Sequence, residues 1–420
     1  MKTKPDLTKL ISRQCPKSNL DLKDAIIVSG SCDHNLTFGR LDEALSLTPN
    51  LLSVTLPFVW NEALMASETL PEIKLQDEAG SIILTQRQCL CILANAFFCT
   101  YTERRSDNCL SGPNLPSINF DELYGSDVWG PVEVAKLRML FTYFEQMRQR
   151  DAKGDKLSRP ITFIRREAKN STVDDWIQCR APLKQPVMHE LRESIDDAKE
   201  MLRVDFANCL IGGAAISYGC VQEEIMFCEC PELIVCRLFF PAMKPNEAIA
   251  VIGAEQFSKH TGYAANLGYG GTYVDPSPTL KNGILGSYIV AIDAFDFRLS
   301  DDWKQQYRDT LILRELTKAW AGFSIIEVET PENLATGNWG CGAFEGNPQL
   351  KSVLQWLASC RAEKTMNYFP FDNRLVSRQF PVVVDALISR GFTVGGVSRF
   401  LMQEMQPFLT YRQLLDYGAE

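Results

Sequence analysis

Glu223 and Glu224 stand side by side in the stretch VDFANCLIGGAAISYGCVQEEIMF, Val204 to Phe227. A well-placed carboxyl group can give a proton to a leaving oxygen and then draw one from water, which is general acid–base hydrolysis. Successive residues of a helix point about 100° apart, so at most one of the two aims squarely at a reacting bond. Carboxylates at the first turn of a helix also offset the positive end of its dipole, and composition alone favours that plainer role. Ahead of the pair lie Asp205, Asn208 and the glycines Gly212, Gly213 and Gly219. Glycines let backbone amides come close to a phosphate. This spacing is not G-x-G-x-x-G, so the dinucleotide fingerprint is absent, and a Gly-Gly pair after a strand is more often a simple turn. A second glycine cluster, GNWGCGAF from Gly337 to Phe344, has the same capacity, or else is a tight turn around a buried Trp339.

These residues must be positioned by a fold, and the texture of the chain says which kind. Up to about residue 175 it reads mainly helical. Gln86 to Tyr101 is apolar nearly all round, as in a core helix, and Val132 to Arg148 repeats apolar residues at three and four. Arg104 to Pro131 reads as a long connection and Ile161 to Arg165 as a strand. After about residue 180 strands and helices alternate. Met201 to Ala207, Glu232 to Phe240, Ala248 to Ile252, Tyr288 to Ala294 and Asn367 to Phe371 read as strands. A helix is expected to begin near Val221, and Leu311 to Phe323, Gln349 to Lys364, Phe380 to Gly391 and Val394 to Phe408 read as helices. Such alternation means a layered α/β domain, whose ligands sit where strand ends lead into helix N-termini.

Composition narrows the ligand. The 420 residues carry a net charge of −9, which argues against a basic coat for DNA, RNA or anionic membranes. A polyanion would have to be held locally, by backbone amides and helix ends. No run approaches the roughly 18 apolar residues of a membrane span. The 14 cysteines are scattered without a C-x-x-C pair and there are three histidines, so neither a metal nor a cofactor is expected. Reduced, buried thiols fit an intracellular protein, nuclear or cytoplasmic. The first 20 or so residues, rich in lysine and arginine, are expected to be disordered or loosely packed. Nothing resembles a coiled coil or an obvious dimer face, so a monomer is expected.

A glycine loop followed six to eight residues later by Gln-Glu-Glu resembles the defining motif of poly(ADP-ribose) glycohydrolases. The similarity continues through CVQEEIMFCECPELIVCRLFF, Glu255-Gln256, Thr261-Gly262-Tyr263, ATGNWGCGAFEG and YFPFD. Upstream, LANAFFCTYTERR, INFDELYG and RPITFIRRE resemble the family's helical accessory region. The resemblance implies a macrodomain-like mixed sheet flanked by helices over residues 181–420, after a mainly helical accessory domain over residues 1–180. It implies Glu224 as the acid/base at a ribose–ribose bond, Glu223 holding the neighbouring ribose, and Asp205 supporting them. Gln222 and Asn208 would fix substrate sugars. The loop at Gly212 and Gly213 and the loop at Gly340, Cys341, Gly342 and Ala343 would cradle the diphosphate, with Asn338 and Phe344 by the distal ribose. Ile195 and Asp196 would meet the adenine edge, Phe371 would stack on adenine and Tyr263 would close over the substrate. The implied partners are poly(ADP-ribose) chains, free or attached to proteins, and ADP-ribose as product.

The chain departs from the family at three places. Ala214 replaces a third loop glycine, AANLGYGGTY replaces an aromatic, charged stretch after Tyr263, and YFPFD lacks a glycine between Phe371 and Asp372. A positive φ at Ala214 would cost about 1 kcal/mol. Three readings stay open beside hydrolysis of the polymer: a weakly active or inactive ADP-ribose-binding module, a hydrolase of nucleotide sugars or protein-linked mono-ADP-ribose, and a structural interaction protein. The retained acid pair speaks for the enzyme.

Overall fold

The computed structural model describes residues 3–29, 36–102, 115–125, 130–169, 171–299, 302–325, 328–405, 407 and 410–417. Cys32, His34, Cys109 and most of the expected connection from Arg104 to Pro131 lie outside them.

The strands among the described residues are β1 Gly80–Thr85, β2 Pro160–Glu167, β3 Val187–Met188, β4 Leu202–Ala207, β5 Glu247–Ile252, β6 Ser258–Thr261, β7 Gly268–Thr272, β8 Tyr288–Asp293, β9 Asn333–Gly337 and β10 Thr365–Phe369. Eight of them make one sheet in the order β1-β2-β5-β8-β4-β9-β10-β3, while β6 and β7 form a separate ribbon. From β1 to β8 the pairings are antiparallel, and from β8 through β4, β9 and β10 to β3 they are parallel.

Strand periodicity divides the core in two. In β5, Ile249 and Val251 join a cluster with the helical N-terminal half, whereas Ala248, Ala250 and Ile252 face the C-terminal helices. β8 repeats the pattern, with Ile289 and Ala291 on the first side and Val290 and Ile292 on the second. The first face is covered by the helices Gln86–Phe97 and Pro131–Ala152, the second by Asp309–Phe323, Pro348–Arg361 and Arg374–Ser389. Both faces are apolar along the whole strand, so near-continuous apolar runs mark these central strands.

Several expectations change. Glu232 to Phe240 is not a strand: Pro231–Leu238 is a 3₁₀ helix buried on all sides. An apolar run buried all round carries no alternation, so periodicity could not separate the two forms. β1 was not foreseen, and with β2 it extends the main sheet from within the mainly helical half. The helix expected from Phe380 begins at Arg374, capped by the Asn373 side chain, and runs through Pro381. The final helix breaks after Arg399 into a π turn, Phe400–Glu404, with a separate helix Thr410–Asp416 beyond. Near the start, Leu10 is buried and Thr3 donates its hydroxyl to the Ile73 carbonyl at 2.5 Å.

One break in the sheet makes the site. β4 pairs with β8 from Leu202 to Ala207, but with β9 only at Leu202–Leu334 and Arg203–Ala335. Beyond Arg203 the two strands part, and a cleft opens between their carboxyl ends.

Candidate active site

The cleft has a volume of about 1000 Å³. β4 ends at Ala207, and the loop after it turns through Gly212 and Gly213, at φ +83° and +44°, before the helix Gln222–Glu229 begins. Glu223 and Glu224 lie in the first turn of that helix and bend back under the loop. Glu223 accepts the Asn208 N–H at 2.8 Å and the Gly212 N–H at 2.6 Å. Glu224 accepts the Ala214 N–H at 3.1 Å and the Val221 N–H at 3.1 Å. Both side chains are almost wholly buried and both line the cleft.

Asp205 and Gly212 are not on the cleft wall. Asp205 lies fully buried behind the pair, and neither of its carboxyl oxygens has a hydrogen-bond partner among the described residues. Burial, reinforced by the Glu224 carboxylate, pushes Asp205 well above the usual carboxylate range. Burial followed by the Asp205 and Glu224 charges does the same to Glu223. Glu223 has two N–H donors to stabilise its charge and Asp205 has none, so the proton belongs on Asp205. Gly212 instead packs inward: a Cβ there would stand 2.8 Å from the Phe227 ring and 3.1 Å from Arg237 Nη1.

The remaining expected residues line the cleft: Gly213, Asn208 and Gln222 on the β4 side, Ile195, Asp196, Tyr263 and Phe371 at one end, and Asn338 and Gly340 through Phe344 opposite. Two of them already use their amides. Gln222 accepts the Phe206 N–H at 2.8 Å and donates to the Val204 carbonyl at 3.1 Å, capping β4 where it leaves β9. Asn338 donates to the Pro370 carbonyl at 2.6 Å and accepts the Tyr368 hydroxyl at 3.0 Å. The Tyr263 and Phe371 rings are in tilted contact, centroids 5.2 Å apart, and both line the cleft. Phe371 and Asp372 have φ of +42° and +60°, the left-handed region where a glycine would relax the turn. Ala214 is not in that region, so no conformational cost attaches to its Cβ.

The second glycine loop is held from below. Trp339 is buried and donates its indole N–H to the Ile292 carbonyl at 2.8 Å, with Lys351 4.1 Å from its ring. Gly340 has φ +70°, and a Cβ there would stand 2.5 Å from Ala294.

Several wall residues were not anticipated. Tyr218 and Arg298 stand at the rim. His260, immediately before the Thr-Gly-Tyr motif, bonds through Nδ1 to the buried Glu229 at 2.8 Å, and that bond raises its pKa. Arg298 and His260 are the basic side chains on the wall among the described residues, so a polyanion there would depend chiefly on amides. Behind the wall, Lys136 and Arg237 grip carbonyls of the glycine loop. No sequence spacing links these two to the acid pair.

A mixed sheet with helices on both faces, and a cleft walled by two glycine loops at the parallel strand ends, define an α/β fold with a ligand-sized cleft. Residues 173–378 match the model of the poly(ADP-ribose) glycohydrolase family described as its macro domain fold, and residues 46–165 match its helical domain. The chain is 30% identical over 396 residues to poly(ADP-ribose) glycohydrolase 1 of Arabidopsis thaliana, across 78% of this chain and 70% of that one. It is 29% identical over 385 residues to the probable poly(ADP-ribose) glycohydrolase 2 of the same plant, across 81% and 72%. To poly(ADP-ribose) glycohydrolase 1 of Caenorhabditis elegans it is 30% identical over 343 residues, across 79% of this chain and 41% of that one. The chain belongs to the poly(ADP-ribose) glycohydrolase family, with a macrodomain fold and an N-terminal helical domain. Among the described residues, no helix is long and apolar enough to cross a membrane.

Proposed function

We propose that this chain hydrolyses the ribose–ribose O-glycosidic bonds of poly(ADP-ribose), free or protein-attached, in the nucleus or cytoplasm, and releases ADP-ribose. Residues 1–180 would serve as accessory half and 181–420 as catalytic half. The observation that carries the reading is the acid pair itself: two adjacent carboxylates, clasped by N–H groups of a glycine loop, on the wall of a cleft whose far side is a second glycine loop.

In this reading Glu224 gives a proton to the 2′-oxygen as the glycosidic bond breaks, and positive charge develops on the departing anomeric carbon. Glu224 then takes a proton from the water that attacks that carbon, which restores the acid and completes the hydrolysis. Glu223 and Glu224 share one helical turn, so these two cannot flank the bond from opposite sides as the carboxylate pair of most glycosidases does. Glu223 keeps its charge to hold a ribose hydroxyl, and the neutral Asp205 behind it adds no further negative charge. The Gly213 and Ala214 N–H groups are engaged by Leu210 and Glu224, so loop 340–343 takes the diphosphate across from the close backbone of Gly213, while Phe371 stacks on adenine and Tyr263 closes over the substrate. Stacking on such aromatic faces contributes about 1–3 kcal/mol per base. Gln222 and Asn338 act chiefly by holding the strand ends, since their amides are engaged there.

The test is release of ADP-ribose from poly(ADP-ribose) by the purified chain and by Glu224→Gln. Glu224→Gln should lose on the order of a thousandfold in kcat while keeping ADP-ribose affinity. Equal release by both proteins would remove Glu224 from its role. Tight ADP-ribose binding without release by the wild type would make the chain a binding module.

A further inference from the structure

We infer that Arg237 is a positioning residue that orients the two glutamates through the peptide bonds of the glycine loop, with Lys136 as its counterpart from the helical half. Arg237 comes from the 3₁₀ helix Pro231–Leu238 and does not line the cleft. Its Nη1 donates to the Gly213 carbonyl at 2.8 Å and to the Ile211 carbonyl at 3.2 Å. These carbonyls belong to the Gly213–Ala214 and Ile211–Gly212 peptides. The N–H ends of the same two peptides donate to Glu224 and Glu223, at 3.1 Å and 2.6 Å. A peptide is planar with its C=O and N–H opposed, so a cation that fixes one end aims the other. Chains of hydrogen bonds also polarise one another, so the same cation strengthens both donors. One guanidinium therefore acts on both carboxylates without itself lining the cleft.

The grip is extended across the seam between the two halves. Arg237 Nε donates to the Ser117 carbonyl at 2.7 Å. Lys136, on the helix Pro131–Ala152 and fully buried, donates to the Ser217 carbonyl at 2.8 Å and the Ala214 carbonyl at 3.2 Å. Burying a cation is expensive unless carbonyls or anions replace its water, and an apolar side chain would fill either place more cheaply. Burial brings Arg237 down to about 10, against the pull of Glu223 and Glu224, and lowers Lys136 as well. The helical half thus reaches the glycine loop through Lys136 and through the Ser117 carbonyl that holds Arg237, rather than through packing alone.

This inference rests on the glycohydrolase reading only in taking the acid pair as the working group. Its test uses the full chain with Arg237→Met, Arg237→Lys and Lys136→Met. In each, kcat and KM on poly(ADP-ribose), the affinity for ADP-ribose, and the titration of glutamate carboxyls by carbon-13 NMR are measured. Arg237→Met should lower kcat at least tenfold with ADP-ribose affinity within threefold of wild type. Loss of the cation and of the polarised donors makes the pair harder to ionise, so its titration and the alkaline limb of the kcat profile should both move to higher pH. Arg237→Lys should bring them part of the way back. An Arg237→Met protein whose carboxyl titration superimposes on wild type, its activity falling only with the folded fraction, would overturn the inference. Where Arg237→Met does not fold, Lys136→Met decides: a kcat loss of fivefold or more at retained ADP-ribose affinity supports it, and wild-type kcat overturns it. A wild type that releases no ADP-ribose would end the proposed function alone, and the carboxyl titration would still decide for or against Arg237.

Discussion

Gly213 has φ +44°, and a Cβ on it would stand 2.5 Å from Glu224 Oε1 and 2.7 Å from Glu223 Oε2. Ala214, one residue on, has an ordinary backbone conformation, although it replaces a glycine of the family motif. The two positions therefore invert the weight that the motif alone gives them. Gly213→Ala forces a left-handed alanine, at about 1–2 kcal/mol, and pushes both carboxylates off their amide donors. A displacement of that size should lower kcat on the order of a hundredfold. Ala214→Gly relieves no strain, and the added freedom of the unfolded chain should cost about 0.5–1 kcal/mol of stability with kcat close to wild type. Denaturant titration and initial rates on the two variants test the pair. A faster Ala214→Gly enzyme would mean that the methyl group does crowd the ligand.

At the scale of elements, the cleft exists because β4 leaves β9 after Arg203, and the exposed β4 backbone needs partners. Gln222 supplies both, accepting the Phe206 N–H and donating to the Val204 carbonyl. Gln222→Ala removes the partner of the Phe206 N–H and of the Val204 carbonyl and should destabilise the ligand-free protein by about 1–2 kcal/mol. If Gln222 served only to hold sugars, the ligand-free variant would unfold at the same denaturant concentration as wild type. This part of the design was out of reach of sequence reasoning. The strands β4, β5 and β8 and the acid pair were legible, because apolar runs between turn residues and a glutamate pair at a helix start are local signals. The parting of β4 from β9 is a matter of register between segments about 130 residues apart. ELIVCRLFF misled for the opposite reason: β-branched residues suggest a strand, but burial on every side is equally served by a 3₁₀ helix, and Arg237 was concealed within it. Tyr263 and Phe371 could be named from motifs, whereas their contact with each other needed the fold.

The whole molecule is divided by a sheet and joined by a seam, and the seam is charged. Gln86, at the start of the core helix of the helical half, donates to Glu232 at 2.9 Å, and the Glu255 N–H meets the other oxygen at 2.9 Å. Arg150 and Arg159, also from the helical half, pair with Glu255. Glu232 is fully buried, and burial, with the Glu255 charge added and Arg159 opposing, raises it to about 7. Its folded pKa thus lies above its unfolded value near 4.3. Between those values the folded state holds a proton that the unfolded state has released, so stability falls as pH rises through this window. The loss between pH 5 and pH 8 should be on the order of 2 kcal/mol. Glu232→Gln keeps an acceptor for the Glu255 N–H and cannot ionise, so its unfolding free energy should vary less with pH and exceed wild type most at pH 8. Urea unfolding of both proteins at pH 5, 6.5 and 8 measures the two slopes. Parallel slopes would show that Glu232 stays ionised across the range, compensated by Arg159. A flattened slope would identify this carboxyl as the group that couples the two halves to pH.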